Sequence, residues 1–112
     1  VRDAPEARRG AWGVGCVHHL AWRVDDEEHQ RDVRARLESA GAHPTPMIDR
    51  FWFKSVYFRE PGGVLFEVAT LRPGFAIDEP VSALGTGLKL PPAAEANRAT
   101  IESTLPPVRV GR

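Results

Sequence analysis

The stretch that most constrains this chain is Tyr57 to Thr70, YFREPGGVLFEVAT. Two apolar runs flank Pro61-Gly62-Gly63, a tight-turn signature, so the stretch predicts two strands joined as a hairpin. The second run carries a lone carboxylate, Glu67, in mid-strand. A charge there is costly to bury unless something pairs with it. The residue most suited to meet it is His19, in the apolar run Val17 to Val24, VHHLAWRV.

Alternation along the strands tests whether the two can meet, because successive strand side chains point to opposite faces. In Val17 to Val24, Leu20, Trp22 and Val24 share a face with His18, whereas His19, Ala21 and Arg23 take the other. In Lys54 to Arg59, Val56 and Phe58 oppose Ser55, Tyr57 and Arg59. In Val64 to Thr70, Phe66 and Val68 oppose Leu65, Glu67 and Ala69. The bulky sets predict one core face and leave His19, Tyr57 and Glu67 on the opposite one.

Between the first and third strands, acids crowd a predicted helix start with Asp25 as N-cap and Glu28 at its third position. The helix runs to about Ala40 and stops at Gly41. Val33, Leu37 and Ala40 form its apolar stripe, expected to pack on Leu20, Trp22, Val56, Phe58, Phe66 and Val68. Met47 to Phe53, with Phe51, Trp52 and Phe53, predicts a further strand. The order is therefore strand, helix, strand, strand, strand, an α+β fold. Residues 1–14 read as a leader or linker with Trp12 as its apolar anchor. Residues 15–72 form the βαβββ module and residues 73–112 a tail. In the tail a short helix is expected from Ala93 to Leu105, with Ala96, Ala99 and Ile101 inward.

Composition narrows the function. A chain of 112 residues suits one domain. Lys plus Arg equals Asp plus Glu at 15 each, which offers no basic field for nucleic acid. No apolar run approaches membrane-spanning length, and no signal-peptide core is visible. The single cysteine, Cys16, excludes an internal disulfide and a multi-Cys zinc site, and fits a cytoplasmic location. It has no activating base nearby in sequence, which argues against a nucleophile. The chain opens on Val1 and not on Met, as expected of a processed or truncated piece.

Imidazole and carboxylate on one face suit a divalent metal such as Fe(II), Mn(II), Ni(II) or Zn(II). Two ligands do not complete a shell. The plainer alternative is a hydrogen-bonded His19 beside an ion-paired Glu67. His18 points to the core in a regular strand, or supports His19 if the strand is irregular. Tyr57 either bonds a ligand and handles a proton, or lines a pocket; Arg50 either binds an anionic substrate or is a surface charge. His29 and His43 are expected to be exposed.

The segments VHHLAWRV, IDRFWFKSVYFREPGGVLFEVAT, GFAIDEP and LKLPP together resemble the ring-cleaving dioxygenases of the vicinal oxygen chelate (glyoxalase/bleomycin resistance) superfamily, nearest the hydroquinone-type branch. The resemblance covers about Gly13 to Pro107. It implies a βαβββ module that pairs with a second to form a metal-binding cup. It further implies His19 and Glu67 as metal ligands, a third histidine ligand from an N-terminal module, and site roles for His18, Arg50 and Tyr57. The activity implied is Fe(II)-dependent extradiol cleavage of a hydroquinone- or catechol-like aromatic with O2, this chain being the C-terminal module. The alternative is a dimeric, glyoxalase-like lyase or isomerase with His19 and Glu67 from both chains, or a non-catalytic small-molecule binder.

Overall fold

The computed structural model describes residue 6 and residues 12–106. The leader expected over 1–14 and the chain's last residues fall largely outside them. Strand β1 (Leu20–Val24) leads into helix α1 (Glu27–Ser39), followed by β2 (Ile48–Asp49), β3 (Lys54–Arg59) and β4 (Leu65–Thr70). The four strands form one mixed sheet in the order β1-β4-β3-β2. β1 runs parallel to β4, and β3 is antiparallel to both β4 and β2. The βαβββ order read from the sequence is the order observed.

The β3–β4 hairpin is set by its turn. The Glu60 carboxylate accepts hydrogen bonds from the backbone N–H groups of Gly62 and Val64, each at 2.8 Å. These bonds hold the Glu60 carboxyl below the usual carboxylate range. Gly63 takes φ 92°, a left-handed conformation that favours glycine. The resulting register puts Tyr57 opposite Glu67 and Val56 opposite Val68. On the other side of β4, Ala21 of β1 lies opposite Glu67. Glu67 therefore sits in the central part of the sheet, with neighbours on both sides.

Val24, Val56 and Val68 are buried on the face that α1 covers. Leu20 and Trp22 share that face by alternation but are 48% and 58% exposed. They sit on an edge strand, and alternation specifies a face without specifying what covers it. The helix stripe also differs from expectation. Val33 and Leu37 are half-buried and Ala40 is exposed, whereas Gln30 is fully buried. The Gln30 side-chain N–H2 donates to the carbonyls of Val68 (2.7 Å) and Lys54 (2.9 Å), stapling α1 to β3 and β4.

The N-cap is Asp26, one residue after Asp25; its carboxylate accepts from the His29 N–H at 2.8 Å. Asp25 instead pairs with Arg23 at 2.9 Å, and that guanidinium holds its carboxyl below the usual carboxylate range. Gly41 follows the helix at φ 81°. The expected strand over Met47 to Phe53 shrinks to two residues. Asp49 turns the chain by accepting from the Phe51 N–H at 2.7 Å, and Phe51 enters the left-handed region at φ 72°.

In the tail, a 3-10 segment (Pro92–Asn97) precedes α2 (Arg98–Thr104). Ile101 is half-buried, but Ala96 and Ala99 are exposed, because α2 is a short helix with little of the domain against it. Among the described residues no helix is long and apolar enough to cross a membrane.

Candidate metal centre

Glu67 is 3% exposed, and both of its carboxylate oxygens are engaged. One accepts a short hydrogen bond from the Ser55 hydroxyl. The other lies 2.7 Å from His19 Nε2. Ser55 is fully buried one β3 step from Tyr57, on the face shared with Glu67. Its side chain fixes the orientation of the carboxylate and leaves one oxygen aimed at His19. The buried charge is thereby paired and hydrogen-bonded, as burial requires.

His19 immediately precedes β1, and its ring is about one-third exposed. It meets the Tyr57 ring edge-on, with centroids 5.9 Å apart and an interplanar angle of 87°. The Arg50 guanidinium lies over the same tyrosine ring, 5.3 Å from its centroid. Four residues from separate parts of the chain, His19, Arg50, Tyr57 and Glu67, thus converge on one face.

His18 joins them by irregularity. Regular strand geometry begins only at Leu20, so His18 is not held to the core side. Its Nδ1 lies 2.7 Å from Nδ1 of His19. Trp12 stacks at 4.6 Å from the His18 ring and carries the Arg59 guanidinium at 5.0 Å. An ionised carboxylate only accepts, so His19 Nε2 bears the proton in the contact with Glu67. A neutral His19 then accepts at Nδ1 from His18. His29 and His43 are exposed, the first on α1 and the second in the loop after it, where it lines a shallow pocket with Tyr57 and Arg59. Cys16 is exposed and free.

The donor set fits part of a metal shell. His19 Nε2 and Glu67 Oε2 lie 2.7 Å apart, near enough for one ion to take both as ligands. The metal needs His19 Nε2 deprotonated. Nδ1 then carries the proton and donates to His18, the kind of outer partner that orients a ligating imidazole. The shell is not complete: among the described residues no group of three or more His, Cys, Asp and Glu side chains is arranged to hold a metal. The same 2.7 Å contact also satisfies the buried carboxylate as a hydrogen bond without a metal.

Sequence reasoning placed Ser55 on this face but assigned it no role. Its signal was a small hydroxyl in mid-strand, at the parity of Tyr57 and one register step from Glu67. Ser55→Ala is expected to lower divalent-metal affinity by about 10- to 100-fold, the range for outer partners of a ligand. It should also cost about 1–3 kcal/mol of stability, because a buried carboxylate loses its donor. Calorimetric metal titration and urea unfolding read the two effects separately.

A βαβββ sheet thus carries a His–carboxylate pair on the face opposite α1. Residues 2–68 match the family model of the glyoxalase/bleomycin resistance protein/dioxygenase superfamily, and the chain belongs to that superfamily. It is 47% identical over 102 residues to MhqO of Bacillus subtilis (strain 168), named as a ring-cleaving dioxygenase, covering 91% of this chain and 33% of that protein. It is 40% identical over 95 residues to the chlorohydroquinone/hydroquinone 1,2-dioxygenase of Sphingobium indicum, covering 80% of this chain and 29% of that protein. A crystal structure of a Bacillus subtilis protein named as a dioxygenase superposes with a TM-score of 0.85 at 46% identity, covering 93% of this chain and 34% of that one. The chain spans about one third of the length of these relatives.

Proposed function

We propose that this chain is the metal-binding C-terminal module of an extradiol-type ring-cleaving dioxygenase that acts on a hydroquinone- or catechol-like aromatic. The observation that carries the reading is the buried Glu67 carboxylate, fixed by Ser55 and directed at His19 on the face that holds Tyr57. Its likeness to proteins named as ring-cleaving dioxygenases supports the same reading.

His19 and Glu67 hold the metal, Fe(II) in this reading; Mn(II), Ni(II) and Zn(II) suit the same donors. When bound, the metal supplies Lewis acidity and a template on which the aromatic and O2 meet. His18 orients His19 by taking the hydrogen bond from its Nδ1. Tyr57, whose ring touches His19, donates or accepts a proton at its hydroxyl. Arg50, over the tyrosine ring, holds an oxygen of the substrate through its guanidinium.

A second βαβββ module provides the third ligand, a histidine, either from an N-terminal part of the protein or from a second copy. The threefold greater length of the relatives supports the former. Among the described residues β1 pairs only with β4, so its other edge, flanked by exposed Leu20 and Trp22, can receive a partner. We place the protein in the cytoplasm, with no nucleic-acid or membrane partner.

Anaerobic Fe(II) loading followed by chlorohydroquinone-dependent O2 uptake tests this. The chain is assayed alone and mixed with the N-terminal part of MhqO. Uptake that needs Fe(II) and disappears in His19→Ala is expected. No uptake in either format overturns the catalytic reading. Should the purified chain be a metal-free dimer whose small-molecule binding survives Glu67→Ala, the non-catalytic binder is the correct reading instead.

A further inference from the structure

A second concave feature adjoins the metal face and shares Arg50 with it. The turn after β2 is unusually fixed. The Asp49 carboxylate accepts from Phe51 N–H at 2.7 Å, and Arg50 N–H donates to the Phe53 carbonyl at 2.8 Å. Phe51 is held at φ 72°, a region that bulky side chains rarely enter and that a structure sustains only where its surroundings impose it. The consequence is three consecutive aromatic side chains splayed from one turn. Phe51 and Trp52 pack edge-on at 5.3 Å, and Phe75 from the tail stands 6.0 Å from Trp52 and 6.1 Å from Phe53. The Trp52 indole N–H is anchored on Asp78 at 3.0 Å, and the Gly74 N–H donates to the Trp52 carbonyl at 2.7 Å.

These rings, with Pro91 and Pro92, line an open cleft of about 760 Å³. That volume is in the range of small-molecule sites, which combine apolar and aromatic walls with few polar groups. His19 and Glu67 do not line it. Arg50 does, and the same guanidinium covers Tyr57. Among the described residues Arg50 has no carboxylate in salt-bridge reach. The Asp49 carboxylate also lines the cavity, with one oxygen committed to the turn.

We propose that this cavity binds a monocyclic aromatic carrying an oxyanion, its ring against Phe51, Trp52, Phe53 and Phe75 and its oxyanion on Arg50. Offset and edge-on contacts reward a ring over an aliphatic group of similar size. A planar guanidinium with no carboxylate in salt-bridge reach among the described residues selects a carboxylate or phenolate over a neutral or cationic substituent. His19 and Glu67 do not line the site, so ligand binding there does not depend on metal occupancy, although Arg50 is shared with the metal face.

The test is a benzoate titration of the 15N-labelled chain in EDTA, followed by the Trp52 indole N–H and the amides of 50–53. A parallel titration with 4-chlorophenolate distinguishes carboxylate from phenolate. Saturable shifts at these groups are expected, with none in α1. Arg50→Gln should weaken benzoate by about tenfold or more, as loss of a charge-assisted bond implies, and leave benzyl alcohol unchanged. Phe75→Ala, on an exposed tail residue, should weaken both ligands while the sheet amides stay in place. Absence of saturable shifts for either anion, equal benzoate affinity in Arg50→Gln, or Trp52 shifts that follow protein concentration instead of ligand overturns the proposal; the last outcome assigns the cavity to a second copy of the chain.

Discussion

Glu67→Gln is expected to leave the module folded and to lower its affinity for a divalent metal by more than about 100-fold, beyond the loss expected for an outer partner. Glutamine keeps the size of the side chain, and its carbonyl still accepts from Ser55. What disappears is the negative charge and the anionic donor beside His19. In the absence of metal the variant unfolds within about 1–2 kcal/mol of the parent, since the lost ion pair is offset by relief from burying a charge. Metal titration by calorimetry and urea denaturation make the check. Unchanged metal affinity would show that Glu67 is a structural carboxylate only.

The largest effect on stability is expected at Gln30. Gln30→Ala removes a fully buried side chain and two hydrogen bonds that tie α1 to the carbonyls of Lys54 and Val68. The cavity and the lost bonds together cost about 2–5 kcal/mol. That lowers Tm by roughly 10–30 °C for a domain of this size. Gln30→Met should recover part of the loss, because it refills the volume and removes Oε1, a buried oxygen with no protein partner. Calorimetric melts of both variants test this; equal Tm values for Gln30→Ala and the parent would contradict the assigned staple.

The contrast between Glu67 and Gln30 explains what was legible in the sequence. Glu67, Tyr57 and the core valines lie on strands, where a period of two assigns a face without knowing the partner. The hairpin turn then set the register that put Tyr57 opposite Glu67. Gln30 is a neutral polar residue in a helix crowded with charges, and a search for apolar periodicity passes over it. Its role exists only where strand carbonyls come within reach, which is tertiary information. Leu20 and Trp22 show the same limit from the other side, since their face was readable and their cover was not. Asp25 and Asp26 are adjacent and chemically equivalent as caps, so composition cannot choose between them. The aromatic run Phe51 to Phe53 has strand-like content, and only the Asp49 turn and the positive φ of Phe51 end β2 early. His18 was the converse case, where a departure from regular strand geometry brought the side chain to the site.

The pairing of His19 with Glu67 is central, and its meaning is decided most directly at the imidazole nitrogens. Long-range 1H–15N correlation spectra of the chain, recorded before and after Zn(II) is added as a diamagnetic stand-in for Fe(II), report the state of each ring nitrogen. A metal held by this pair moves His19 Nε2 from protonated to metal-bound and puts the proton on Nδ1, leaving His29 and His43 unchanged. A His19 ring that keeps its Nε2 proton at saturating Zn(II) would contradict the metal centre and leave the pair as an internal hydrogen bond.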